Sequence, residues 1–163
     1  MTDVSPGESR FDTYEAYRQA VAMVVALAQR ELLIFDPDLK ETGLESHAGA
    51  ESLSPLLAVS RGLQLRIVLH DSDHLERHCP RLIKLLQNYG HVASLRRSPE
   101  NLRNLTDCFV VADGRHAVIR FHADHARGKL LIAQDQQVGN WQRRFGELWE
   151  MATVTSCITT LGL

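Results

Sequence analysis

Two short apolar runs joined through an Asp-Gly turn constrain the fold more than any other feature of the sequence. Residues 108–112 and 117–121 each have the length of a strand, and Asp113-Gly114 lies between them. Asp-Gly is a strong hairpin signal because glycine adopts positive φ without steric cost. We therefore predict an antiparallel β-hairpin over residues 108–121.

The rest of the chain alternates between helix-like and strand-like patterns. Apolar residues recur at three- and four-residue steps from Tyr14 to Ala28, which predicts an amphipathic helix. Further strands are predicted at residues 31–36, 63–69, 91–96 and 130–133, and further helices at 52–60, 72–89 and around Trp141 to Trp149. Such alternation implies right-handed crossovers. We therefore expect an α/β domain whose mixed, mainly parallel sheet is flanked by helices.

Length and composition favour one soluble domain. A chain of 163 residues with 44% hydrophobic residues can bury a single core without covalent staples. We expect residues 1–10 to form a flexible leader and residues 11–163 to form the domain. The leader carries Asp3 and Glu8 and lacks the basic start and apolar stretch of a secretory signal.

The expected location is the cytoplasm, with no membrane span. The longest strongly apolar run, residues 20–28, is far shorter than the ~20 residues that a bilayer requires. Three widely spaced cysteines, Cys79, Cys108 and Cys157, are odd in number, which favours reduced thiols over a disulfide framework.

The charge is distributed unevenly along the chain. The formal net charge is −2, yet residues 61–130 carry 12 Lys and Arg against 7 Asp and Glu. Such an excess can attract phosphates or an acidic partner. It is well below the basic stripe of a dedicated nucleic-acid binder, so we do not expect nucleic acid as a partner.

Several polar residues are predicted to share one edge of the sheet. Asp36 ends the first predicted strand, and His70 and Asp71 end the next. Ligands commonly bind at this edge of a parallel sheet. The return strand of the hairpin brings Arg120 towards the same edge, and a guanidinium offers paired donors to a phosphate or carboxylate. We therefore predict a small-anion site at Asp36, His70, Asp71 and Arg120, in which the carboxylates act as caps or partners of Arg120.

The histidine clusters do not make a convincing metal site. His74 and His78 are one helical turn apart, and His70 or Asp71 could complete a ligand set. The pair lacks the internal glutamate of a zincin motif, so we favour helix capping by Asp71 or Ser72 beside solvated histidines. We predict no metal and, without a glycine-rich phosphate loop, no cofactor.

The segment from Thr106 to Ile119 resembles one half of the phospholipase D-like fold. Strands of that superfamily carry His-x-Lys-x4-Asp ahead of a hairpin return strand. Placing the motif's aspartate on Asp113 puts its lysine on Cys108 and its histidine on Thr106. The return strand ends in Arg120-Phe121 where the superfamily has a small pair. The resemblance therefore implies a single, degenerate phospholipase D-like half, similar to uncharacterised bacterial domains that end in Phe-x-x-Leu-Trp, here residues 145–149.

The resemblance implies a fold whose chemistry is lost. The reaction needs a histidine nucleophile, a second histidine as the acid and lysines that hold the phosphoryl oxygens. Thr106 and Cys108 cannot play these parts, which favours a non-catalytic domain that binds a small anionic ligand or a protein partner. One half usually pairs with another, so a homodimer is expected. The alternatives are a phosphodiesterase or nuclease with a displaced site at His70, His122 or His125, and a purely structural dimerisation module.

Overall fold

A single sheet of eight strands organises the chain in a computed structural model that describes residues 4–59 and 63–155. The strands are β1 (Gly7–Phe11), β2 (Glu31–Asp36), β3 (Gln64–Leu69), β4 (Ala93–Arg97), β5 (Cys108–Ala112), β6 (His116–Arg120), β7 (Gly128–Ile132) and β8 (Thr153–Val154). The helices are α1 (Tyr14–Leu27), α2 (His47–Val59), α3 (Asp73–His78), α4 (Pro80–Asn88) and α5 (Asp135–Met151), with a 3₁₀ turn at Glu100–Leu102.

The sheet is mixed, as expected, but it is mostly antiparallel. Its strand order is β1-β7-β6-β5-β2-β3-β4-β8. Only the β2–β3 and β3–β4 pairings are parallel within the described residues. The expectation of a mainly parallel sheet is therefore wrong. The chain leaves β4, returns to the other side of β2 and continues through β5, β6 and β7 as neighbouring antiparallel strands.

Two apolar layers cover the two faces of the sheet. Leu32 and Ile34 of β2 face the larger cluster, which contains α1, α2 and α4, whereas Leu33 and Phe35 face the cluster under α5. Strand residues alternate between faces, so each strand contributes to both layers. The arrangement is an α/β domain with helices on both sides of the sheet, as predicted.

Several element boundaries differ from the sequence expectation. Strand β1 pairs with β7, so the sheet begins inside the segment assigned to a leader. The predicted helix over 72–89 is two helices that meet at Pro80, because proline lacks the N–H that a continuous helix needs. Helix α2 begins at His47, five residues before the predicted start.

Two further expectations concern the membrane and the cysteines. No helix in residues 4–59 and 63–155 is long and apolar enough to cross a bilayer. Cys79 and Cys108 are buried free thiols. Cys157, the third cysteine, lies outside the described residues.

The turn of the β5–β6 hairpin is tied to the start of β2. Asp113 and Gly114 both have positive φ, 58° and 67°, as the predicted tight turn requires. The Asp113 carboxylate accepts hydrogen bonds from the backbone N–H groups of Gln29, Arg30 and Glu31 at 2.9, 2.7 and 2.9 Å. Asp113 therefore anchors the hairpin to the neighbouring strand and fixes the position of both.

Replacing Asp113 with alanine should lower the free energy of unfolding by about 3 kcal/mol. Three backbone donors lose a charged acceptor, and alanine tolerates the left-handed backbone poorly. Asp124→Ala, at an aspartate whose side chain is exposed, is the control and should change stability by less than about 0.5 kcal/mol. Urea unfolding followed by circular dichroism measures both, and equal effects of the two substitutions would contradict the anchor.

Candidate functional site

The sheet topology collects the predicted site residues at one edge. Strands β2 and β3 run in parallel and end together at Asp36 and Leu69. Strand β5 is antiparallel to β2, so it begins at this edge with Cys108, opposite Arg120 at the end of β6. The edge therefore carries Asp36, His70, Cys108 and Arg120, as the sequence predicted for Asp36, His70 and Arg120.

A buried ion pair lies at the centre of this edge. An Asp36 carboxylate oxygen is 3.5 Å from an Arg120 guanidinium nitrogen, and the two residues are each 1% exposed. The second Asp36 oxygen accepts the backbone N–H groups of Asp38 and Leu39. A charge buried to this extent persists only when it is paired and hydrogen-bonded. Asp36 thus supplies the negative partner without which Arg120 would be unstable in the interior.

Arg120 is also held by the loop that follows it and by two aromatic rings. One of its terminal nitrogens donates to the backbone carbonyls of Ala123 and His125. Its guanidinium carbon lies 4.9 Å from the centre of the Tyr17 ring and 5.8 Å from that of Tyr14. Cations over aromatic faces are attracted by the ring quadrupole. Arg120 therefore fixes the β6–β7 loop, residues 121–127, to helix α1 and to β2.

Burial shifts the protonation behaviour of the groups around Arg120. Loss of hydration outweighs the attraction of the guanidinium and raises the pKa of Asp36 to about 6. Burial also raises the pKa of the Cys108 thiol and that of the Tyr17 phenol, with the Asp36 charge acting in the same direction. Cys108 is accordingly a neutral thiol and not a reactive thiolate, as predicted.

The three degenerate motif positions are divided between the two ends of the hairpin. Thr106 is exposed just ahead of β5, and Cys108 is buried beside Asp36 and Arg120. Asp113 lies at the opposite end, where it binds backbone N–H groups. One end of the hairpin therefore carries the Thr106 hydroxyl and the Cys108 thiol, and Asp113 holds backbone N–H groups at the other.

His70 and Asp71 share the edge with Asp36 and Arg120, but local partners occupy them. Both ring nitrogens of His70 are engaged, Nδ1 with the Ser98 hydroxyl at 2.6 Å and Nε2 with the Leu105 carbonyl at 2.9 Å. Asp71 accepts the Asp73 N–H at 2.8 Å and so caps the start of α3, one of the roles foreseen for it. The structure thus pairs Asp36 with Arg120 and gives His70 and Asp71 partners of their own.

An open cleft lies beside the β6–β7 loop. This loop cleft has a volume of about 560 Å³ and is lined by Asp12, Phe121, His122, His125, Ala126 and Arg127. The rings of His122 and His125 are 5.3 Å apart. The Arg127 guanidinium has no hydrogen bond or ion pair with the residues that the structure describes. At this edge a guanidinium that is open to a ligand, that of Arg127, therefore lies on the loop, whereas that of Arg120 is buried.

Sequence reasoning did not find the groups that enclose Arg120. Tyr14 and Tyr17 were predicted only as apolar positions of a helix, and loop carbonyls carry no sequence signal. Their spacing of three residues at the start of α1 was the one available clue. Among the described residues, no three His, Cys, Asp or Glu side chains are arranged to hold a metal ion.

The fold is that of the phospholipase D-like proteins. Nuc, a phospholipase D family member from Salmonella typhimurium, superimposes with a TM-score of 0.63 at 11% identity over 93% of this chain and 99% of its own. NucT from Helicobacter pylori gives a TM-score of 0.63 at 13% identity over 93% and 100% of the two chains. TrmBL2, an archaeal chromatin protein that binds DNA, gives 0.69 at 17% identity over 95% of this chain. This chain spans 56% of TrmBL2.

Residues 13–161 match the model of the domain of unknown function DUF7931, and the chain belongs to that family. No curated protein matches the sequence. At identities below 20%, the similar structures show a shared fold alone. The DNA-binding activity of TrmBL2 stands against our expectation that nucleic acid is not a partner, and it is a property of that protein.

Replacing Arg120 with methionine should lower the free energy of unfolding by about 3–5 kcal/mol, because Asp36 would keep a buried charge without a partner. The double variant Asp36→Leu/Arg120→Met should recover most of that loss, since it removes both charges. Arg18→Met is the matched control: Arg18 pairs with Glu41 at 2.8 Å near the same edge, but both side chains are well exposed. Its effect should stay below about 1 kcal/mol. Urea unfolding of the four proteins gives the comparison, and similar losses for Arg18→Met and Arg120→Met would refute the buried pair.

Proposed function

We propose that this chain is a non-catalytic phospholipase D-like domain that binds a small phosphate-bearing anion in the loop cleft. The observation that carries the proposal is that Arg120 is buried at the sheet edge, whereas the polar groups of the loop after it face an open cleft. Arg120 is sealed beneath the loop by Asp36 and by two carbonyls, while Arg127, His122 and His125 remain around an open cleft. The edge keeps cations but lacks the nucleophile.

The absence of a nucleophile at position 106 supports binding without turnover. A phosphohistidine mechanism needs an unprotonated ring nitrogen aimed at phosphorus and a base that orients the ring. His70 uses both of its ring nitrogens internally. His122 accepts the Asp124 N–H at Nδ1, which places the proton of the neutral ring on Nε2. A ring in this state donates a hydrogen bond to an anion and is a poor nucleophile.

The charges around the loop cleft favour a small ligand over a nucleic acid. Asp12 lines the cleft beside Arg127, and Asp124 lies 3.8 Å from His122. Carboxylates at these positions repel a polyanionic backbone but leave room for one phosphate group.

Inorganic phosphate should bind wild-type protein, and Arg127→Gln should weaken that binding about tenfold. The substitution removes one charge-assisted hydrogen bond, worth about 1.5 kcal/mol, between the Arg127 guanidinium and the phosphate. The double variant His122→Gln/His125→Gln should also weaken binding. Isothermal titration calorimetry measures the affinities. Arg143→Gln, an exposed arginine on α5, is the control and should bind as wild type does.

The same proteins test the absence of catalysis. Wild type should not hydrolyse bis-p-nitrophenyl phosphate above the rate of buffer. Turnover that disappears when His70, His122 or His125 is singly changed to alanine would refute the non-catalytic proposal and support an enzyme with a displaced site. Equal phosphate affinities of wild type and Arg127→Gln would refute the loop cleft as the binding site.

We also propose that two copies of the domain pair across this edge. The chain corresponds to the whole length of Nuc and NucT and so supplies one phospholipase D-like half. Phe121, 40% exposed at the end of β6, gives the edge an apolar contact point beside the loop cleft. A closed two-fold contact is the usual arrangement for identical subunits.

Sedimentation equilibrium at tens of micromolar should give a mass twice that of the 18.3 kDa chain. Phe121→Ser should shift the equilibrium towards the monomer, because a buried aromatic contact at an interface is lost. Met23→Ser, at an exposed apolar residue on α1, is the control and should leave the dimer intact. A single-chain mass for wild type would refute the dimer without touching the proposal for the loop cleft.

A further inference from the structure

A second cleft lies at the opposite end of the β5–β6 hairpin from the loop cleft. This rear cleft has a volume of about 330 Å³. Its polar wall includes Arg30, Arg115 and His116, and its apolar wall includes Val4, Ala26 and Leu27. The residues come from the chain before β1, the end of α1 and the connection that follows it, the hairpin turn and the start of β6. The cleft is therefore part of the folded frame and is distinct from the edge that resembles a phospholipase D site.

His116 lines the rear cleft and has one ring nitrogen without a protein partner among the described residues. The residue is 3% exposed, and its Nδ1 accepts the backbone N–H of Ala133 at 2.9 Å. The acceptor role of Nδ1 leaves the ring proton on Nε2. Burial and the nearby Arg115 charge lower the pKa of His116, so the ring stays neutral and keeps this tautomer. Nε2 has no hydrogen-bond partner among residues 4–59 and 63–155.

The Asp113 carboxylate beside His116 already accepts hydrogen bonds from the backbone, whereas Arg30 and Arg115 keep unpaired N–H donors. Both oxygens of Asp113 accept backbone N–H groups. Arg115 reaches Asp135 only through Nε, at 3.4 Å, and its terminal nitrogens have no other partner in the described part of the chain. No ion pair involves the Arg30 side chain within that same part. Arg30, Arg115 and the His116 ring therefore offer unpaired N–H donors at a cleft that aliphatic side chains also line.

We propose that the rear cleft binds a small organic oxyanion, with its charged head on Arg30, Arg115 and His116 and an apolar group against Val4, Ala26 and Leu27. Guanidinium groups match the paired oxygens of a phosphate or a carboxylate, and a neutral imidazole N–H adds a directional donor. A phosphate monoester and a carboxylate share this chemistry.

To test this proposal, the protein is titrated with phenyl phosphate and, in a separate titration, with benzoate. Backbone amides are followed by ¹H–¹⁵N correlation spectra. The Ala133 amide is the reporter, because it donates to the other nitrogen of the His116 ring. At least one of the two anions should shift the Ala133 signal in a saturable way, and the arm that does so identifies the head group. Benzyl alcohol, which has the ring without the charge, should produce no such shift.

Arg30→Gln and Arg115→Gln should each weaken that binding about tenfold, and Arg127→Gln, in the loop cleft, should leave it unchanged. The first two residues are not buried, so the variants should keep the wild-type amide spectrum outside the cleft. Absence of a saturable Ala133 shift with both anions, equal binding of benzyl alcohol, or wild-type affinity in both arginine variants would overturn the proposal. Loss of phosphate binding in Arg127→Gln alone concerns the loop cleft and does not bear on the rear cleft.

Discussion

The ion pair between Asp36 and Arg120 is the interaction on which the candidate edge depends. It joins the end of β2 to the end of β6 through side chains that are almost fully buried. The same guanidinium holds the carbonyls of the following loop and lies over two rings of α1. One cation thereby links two strands, a loop and a helix. The buried Arg120 guanidinium therefore positions the exposed groups around the loop cleft.

The pair also changes the chemistry that the edge can perform. A lysine and a histidine facing solvent can hold and attack a phosphoryl group, because their donors and lone pairs are free. Arg120 has a similar charge, but its donors are directed into the protein, and its Nε is without any partner in the described residues. Cys108 contributes a neutral thiol beside it. The edge is part of the core, and the polar groups that face the open cleft lie on residues 121–127.

How well each feature of the structure can be predicted from the sequence depends on how few neighbouring residues determine it. The hairpin was predicted correctly because Asp113-Gly114 is a local turn signal with its own backbone requirement. The prediction of a mainly parallel sheet was wrong because strand direction depends on which side of β2 the chain returns to. The residues next to each strand do not indicate that side. The proximity of Asp36 and Arg120 could be predicted, because each residue ends a strand at the same edge of the sheet. The burial of Arg120 did not, because it requires Tyr17 and two loop carbonyls that pattern analysis treats as ordinary core and loop.

The hairpin has one further consequence for how such a domain can change over evolutionary time. Asp113 fastens it to β2 at one end, and five strand residues, about 17 Å, separate this fastening from Cys108 and Arg120 at the other. The turn fixes which residues of β5 and β6 face each other, whichever side chains stand at the distant end. In such a hairpin, the contact that fixes the strand register lies apart from the residues that determine the chemistry of the edge. Lineages can lose, alter or regain a working edge while the scaffold that presents it stays the same.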